Sequence, residues 1–192
     1  METAHMVRVD FALIPDGPLF GAVVNASQAI TDEFYDNQNV IDDKVFPPHL
    51  SLHICTIPRD KIDQIVADLR ALAEGSDLPD ITPIGVDPAY GGYVMVNVER
   101  TGEIMALHEA ILDVAATARN GLDGDAYGNK YIRDSFTPHI SLAKVDRHDL
   151  SDATNIGRKA FGDWHTTRTR TLDFCDIGPR SERWDVLASF RH

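Results

Sequence analysis

One seven-residue segment is written twice in this chain. Phe46-Pro-Pro-His-Leu-Ser-Leu52 and Phe136-Thr-Pro-His-Ile-Ser-Leu142 agree at five of seven positions, 90 residues apart. In each copy a proline precedes a polar/aliphatic alternation, and proline in a sheet is tolerated at the first residue of a strand. Each copy therefore predicts a strand start. Strand side chains alternate between faces, so His49 and Ser51 share one face while Leu50 and Leu52 point into a core. His139 and Ser141 share a face in the same way, backed by Ile140 and Leu142. Laid side by side, two such strands make a pseudo-twofold site in which two imidazoles flank one phosphate. An imidazole with an ordinary pKa of about 6.5 can serve as base or acid near neutral pH. The pair needs no metal, and the hydroxyls can donate to non-bridging oxygens.

The rest of the chain reads as elements able to carry such strands. Residues 7–14 predict a strand, closed by a turn at 15–18, and a weakly periodic helix covers about 25–35. The first motif strand spans 48–57. Pro58 then suits the first turn of a helix in which Ile62, Ile65, Val66, Leu69 and Leu72 recur at helical spacing up to Gly75. Residues 81–87 and 93–99 read as strands around Pro88-Ala-Tyr-Gly-Gly92. Thr101 caps a long helix with Ile104, Leu107, His108, Ile111, Leu112 and Ala115 on one face, where His108 reads as a satisfied core histidine. A loop over 120–135 leads to the second motif strand at 138–145. A weaker helix at 151–160 and a terminal hairpin, 169–177 with 183–190, complete the order. This is an α+β pattern with helices outside antiparallel sheets. No linker or low-complexity tract divides it, so residues 1–192 are expected to form a single domain.

Charge narrows the ligand. The net charge of −12 argues against a grip on long duplex nucleic acid, which needs a basic surface, and favours a small phosphorylated molecule. Arg158, Lys159, His165, Arg168 and Arg170 cluster late in the chain and read as a salt-bridged surface. No apolar run approaches the roughly 18 residues that span a bilayer. Residues 1–6 lack the basic start and apolar stretch of an export signal. The expectation is a cytoplasmic monomer with no membrane partner. Cys55 and Cys175 form no C-x-x-C pair and are expected to stay reduced.

The duplicated His-x-Ser-aliphatic motif resembles that of the two-histidine (2H) phosphoesterase superfamily, the group of 2′-5′ RNA ligase-like proteins and cyclic phosphodiesterases. The resemblance implies two pseudo-symmetric lobes of antiparallel sheet with outer helices around a central groove. It implies His49 and His139 as the catalytic pair and Ser51 and Ser141 as phosphate-binding hydroxyls, where the family often carries Thr. Lys144 stands where related proteins often have a basic residue, which implies a further phosphate contact. No cofactor and no metal are implied. The expected activity is a phosphodiesterase for 2′,3′-cyclic phosphates or for 2′-5′-linked nucleotides and RNA ends. The same residues would serve a hydrolase of cyclic di- or oligonucleotide signals, or RNA 2′-5′ ligation by the reverse reaction. An RNA- or nucleotide-binding module is the non-enzymatic alternative, but a pure binder has no need of paired acid–base groups.

Other residues enter as candidate substrate contacts. His53 follows His49 by four residues, and strict alternation puts it on the same face, with Cys55 continuing that face as packing. A zinc pair of His49 and His53 would need a third converging ligand, and none stands at motif spacing. Tyr127, Tyr131 and Arg133, in the loop before the second motif, are candidates for base stacking and a phosphate contact. Trp184 is either a stacking surface or a core residue. Gly91-Gly92 reads as a turn and not a phosphate cradle, and neither motif serine sits in Gly-x-Ser-x-Gly.

Overall fold

A computed structural model describes residues 5–34, 41, 46–75, 77–119, 132–163 and 165–191. The described strands are β1 (Met6–Pro15), β2 (Leu50–Pro58), β3 (Pro83–Ala89), β4 (Tyr93–Val98), β5 (His139–Lys144), β6 (Thr169–Asp176) and β7 (Asp185–Arg191). The described α-helices are α1 (Gly17–Glu33), α2 (Ile62–Gly75), α3 (Gly102–Arg119) and α4 (Leu150–Phe161). The expected turn at 15–18 is a helix start instead. Asp16 Oδ1 accepts from the Gly17 N–H at 2.7 Å, and Pro18 occupies a first-turn position where no N–H is required. Asp-Gly-Pro suits a turn and a helix N-terminus equally, and packing selects the second. The helix expected after Pro58 opens with a 3-10 turn, Arg59–Lys61, before α2. No described helix is long and apolar enough to cross a membrane.

The strands form one antiparallel sheet in the order β3-β4-β5-β2-β1-β6-β7. The two motif strands lie at its middle and meet at a single pair, Leu50 opposite Ile140. Each half of the sheet has its own helix pair. α1 and α4 pack on each other, α1 against β5 and α4 against β3 and β4, while α3 lies on β2 and α2 on α3 and β7. Leu50, Leu52, Ile140 and Leu142 are at most 1% exposed and join the apolar core under these helices. Burying each such side chain stabilises the fold by roughly 1.5–3 kcal/mol.

Two β-bulges decide which side chains reach the sheet face opposite the helices. In the β1–β2 ladder Ala12 faces Ser51 and Phe11 faces His53, which leaves Leu52 unmatched. In the β4–β5 ladder Met95 faces Ser141 and Val94 faces Ala143, which leaves Leu142 unmatched. Both bulges fall on the last residue of the repeated segment, so the internal repeat extends to a backbone irregularity. A bulge resets the in/out alternation of the strand that carries it. His53 therefore turns into the core, 5% exposed and stacked on Phe11 with centroids 6.4 Å apart, and Cys55 follows it there. The expectation that both share the His49 face is corrected by this extra residue. Beyond the second bulge Ala143 is buried and Lys144 returns to the half-exposed side. The Gly91-Gly92 turn joins β3 to β4 as expected. Both glycines have φ of +86°, and a Cβ on Gly92 would run into the Val145 carbonyl oxygen.

Candidate active site

The antiparallel register that sets Leu50 against Ile140 brings His49 across from Ser141 and Ser51 across from His139, one step to either side. All four side chains lie on the face opposite the helices and are half-buried. The two imidazoles are held alike. His49 Nδ1 lies 2.8 Å from the Pro47 carbonyl oxygen, and His139 Nδ1 lies 2.8 Å from that of Thr137. A carbonyl oxygen only accepts, so in each ring Nδ1 carries the hydrogen and Nε2 keeps its lone pair. The repeat thus duplicates both tautomer and ring orientation, because each partner is the carbonyl two residues upstream of the histidine.

Burial favours the neutral rings. It pulls His49 down to about 4, helped by the nearby His139 and opposed by the Pro47 hydrogen bond. Burial also lowers His139, against the Thr137 hydrogen bond. A negative charge brought beside such rings restores their proton affinity.

Beneath His49 lies a carboxyl that the motif does not announce. Asp10, on β1, is 1% exposed. Its Oδ2 is hydrogen-bonded to Ser51 Oγ at 2.6 Å and stands 3.9 Å from His49 Nε2. Its Oδ1 is buried with no hydrogen-bond partner among the described residues. Burial raises the Asp10 carboxyl to about 7, against the lowering effects of Ser51 and Arg8. The signal was present in the sequence: one carboxylate inside the apolar run of residues 7–14, where polar side chains are rarely buried without purpose.

Aromatic rings cover the His49 side. Trp184 lies on the imidazole with centroids 4.4 Å apart, and Phe46 meets both rings edge-on at 5.5 and 5.3 Å. Trp184 is therefore brought to the site. Lys144 stands over Tyr93, 5.5 Å from the ring centroid, on the face that the bulge assigns to it. Arg133 is not brought in: its guanidinium lies 3.6 Å from Glu109 of α3, on the helical side. Tyr127 and Tyr131 lie outside the described residues. Of the late basic cluster, Arg158 pairs with Asp87 at 2.7 Å and Arg170 with Asp16 at 3.6 Å, as a salt-bridged surface requires. Among the described residues no three His, Cys, Asp or Glu side chains gather as metal ligands would, and the first bulge parts His49 from His53.

His108 has the structural role expected of it. Fully buried on α3, it donates from Nδ1 to the Leu52 carbonyl at 2.7 Å, at the first bulge, and its Nε2 accepts the Arg133 N–H at 2.9 Å. It also stacks flat on Phe136, with centroids 4.0 Å apart and planes 4° from parallel. It ties the first motif strand to the segment that opens the second. The two phenylalanines of the repeat thus part company: Phe46 packs edge-on against His49 and Trp184, and Phe136 packs on His108.

The sequence model of the 2′-5′ RNA ligase superfamily matches residues 22–167, which contain both motifs. A comparison with curated protein sequences finds no match. Among solved structures, TT0787 of Thermus thermophilus superposes with a TM-score of 0.60 at 17% identity, over 96% of this chain and 97% of that one. E. coli LigT complexed with NADP+ gives 0.55 at 14% identity, over 97% and 98%. The MHV ns2 PDE domain gives 0.50 at 15% identity, over 85% and 97%. Identities this low speak for the fold, and the matched family sequence speaks for descent: the chain belongs to the 2′-5′ RNA ligase superfamily of two-histidine phosphoesterases and has the LigT-like fold.

Proposed function

We propose that this protein is a metal-independent phosphodiesterase that acts on 2′,3′-cyclic phosphates or on 2′-5′-linked nucleotides and RNA ends, with His49 and His139 as a general acid–base pair. The observation that carries this reading is the matched pinning of the two rings. Each Nδ1–H is spent on a backbone carbonyl, which leaves two Nε2 lone pairs on one face. With a cyclic phosphate, one Nε2 takes a proton from water as its oxygen attacks phosphorus. The other imidazole, protonated, gives its proton to the departing ribose oxygen. With a 2′-5′ linkage the neighbouring ribose hydroxyl replaces water and a cyclic phosphate is the product. Ser51, Ser141 and Lys144 hold the non-bridging oxygens, and the Trp184–Phe46 surface offers a base a place to stack.

The solved LigT complexes with NADP+, ATP and 3′-AMP support a small nucleotide as the ligand class, as does the net charge of −12. The test is incubation of the purified protein, in EDTA, with cyclic-phosphate, 2′-5′-linked and cyclic oligonucleotide substrates, with products identified by mass spectrometry. Turnover of a cyclic phosphate or a 2′-5′ linkage is expected to persist in EDTA. Complete loss of activity, restored by zinc or manganese, overturns the metal-independent mechanism. Cleavage of cyclic oligonucleotides alone reassigns the substrate.

A further inference from the structure

We propose that Asp10 is a positioning residue that sets which way the Ser51 hydroxyl hydrogen points, and through it whether the groove accepts an anion. The inference rests on the reading of Ser51 as a phosphate-binding hydroxyl. Ser51 has one hydrogen to give. A carboxylate at Asp10 accepts only, so it takes that hydrogen across the 2.6 Å contact and leaves Ser51 presenting lone pairs to the groove. A protonated Asp10 carboxyl reverses the bond. It donates to Ser51 Oγ, and the serine hydrogen is then free for a non-bridging phosphate oxygen. The ionised form also places a negative charge 3.9 Å from His49 Nε2, beside the position a phosphate must occupy. Both consequences favour anion binding when Asp10 carries its proton.

The surroundings hold Asp10 near this balance. Arg8 on its own strand favours the ionised form, as does the bond from Ser51 of β2, and burial opposes both. His49 faces it from the segment that leads into β2. From β6 it is opposed by Cys175, whose thiol is pushed up chiefly by burial and then by Asp173 and Asp10, so that it stays neutral. Asp173, on the same strand, is likewise raised by burial. The carboxyl therefore sits near the middle of its titration around neutral pH, where a change of one unit alters the binding-competent fraction several-fold.

Sulfate is the probe, since it remains a dianion across this range and binding it requires no turnover. Its dissociation constant is read from the imidazole NMR signals of His49 and His139. Between about pH 6 and pH 8 sulfate binding to the wild-type protein should weaken by roughly tenfold relative to Asp10→Asn. The asparagine amide donates to Ser51 Oγ at every pH and mimics the protonated carboxyl. In a Ser51→Ala background the effect of Asp10→Asn should shrink, since no hydroxyl remains to be oriented. A ratio of wild-type to Asp10→Asn affinity that stays constant with pH overturns the proposal. Strict additivity with Ser51→Ala overturns the orientation of Ser51. Asp10→Ser, which cannot ionise, supplies the comparison if the asparagine variant does not fold. Wild-type affinity that is flat over the range refutes the idea with no variant at all. Failure of every diester to be cleaved would overturn the proposed activity while leaving the sulfate measurement fully interpretable.

Discussion

Replacing Asp10 with asparagine should change how the stability of this protein depends on pH. Burial raises the folded carboxyl to about 7 from an ordinary 3.8. Between those values the unfolded chain has lost its proton and the folded chain retains it, so stability falls as pH rises. The contribution of Asp10 is complete below 3.8 and is lost as pH passes through about 7. A shift of about three units, at about 1.4 kcal/mol per unit, sets the full amount at roughly 4 kcal/mol. His49 and His139 act with the opposite sign, because burial lowers them and stability falls as pH drops below 6.5. Subtracting the wild-type curve from the Asp10→Asn curve removes His139 and, because Asp10 is neutral in the pH range where His49 gains its proton, most of the His49 contribution as well. Urea unfolding should find the two proteins nearly equal at about pH 4, and the variant more stable by up to roughly 4 kcal/mol at about pH 8. For a chain of this size that corresponds to a Tm higher by about 8–16 °C. A difference that does not vary with pH, or a variant less stable than wild type at the alkaline end, would show that Asp10 is not held protonated by its burial.

His49→Ala and His139→Ala should each lower kcat/KM on the best substrate by roughly 10²-fold or more, and the double variant should lose less than the product of the two. Initial rates at wild-type speed in both single variants would refute the acid–base pair. Because burial holds both rings below 6.5, the protonated partner becomes scarce as pH rises, and kcat/KM should peak on the acid side of that value. A profile still climbing at about pH 8, with chemistry rate-limiting, contradicts this. His108→Ala leaves the Leu52 carbonyl and the Arg133 N–H without their partner and opens a cavity beside Phe136. Denaturant titration should register a loss of roughly 3–5 kcal/mol, and a loss below about 1 kcal/mol would show that His108 does not tie the two motif segments together. Gly157→Val should cost about 1–3 kcal/mol by the same assay. A Cβ there already stands 3.2 Å from Ile30 Cδ1 and 3.4 Å from Leu142 Cδ1, so a branched side chain must push α4 off the sheet; unchanged stability would refute that packing.

Much of this molecule is legible in its sequence for a local reason. Strand and helix periods are properties of neighbouring residues, so the apolar spacing of Ile62 to Leu72 announces α2 and the two proline-started alternations announce β2 and β5. The repeat itself states that each imidazole shares a face with the hydroxyl two residues on, because alternation from a proline needs no knowledge of the rest of the chain, whereas the pairing of β2 with β5 brings the two sets together. Alternation stops being a guide where a neighbouring strand imposes a bulge. His53 and Cys55 turn into the core, and Lys144 turns to the face opposite the helices, because the ladders with β1 and β4 skip Leu52 and Leu142. Tertiary structure alone decides that Asp10 lies under Ser51, since their 2.6 Å contact joins residues 41 positions apart through strand pairing. Likewise only packing sends Arg133 to Glu109 and sets Trp184 on His49. The physical division is one of range: local backbone geometry determines which residues can share a face, while register between strands distant in sequence determines what they meet there.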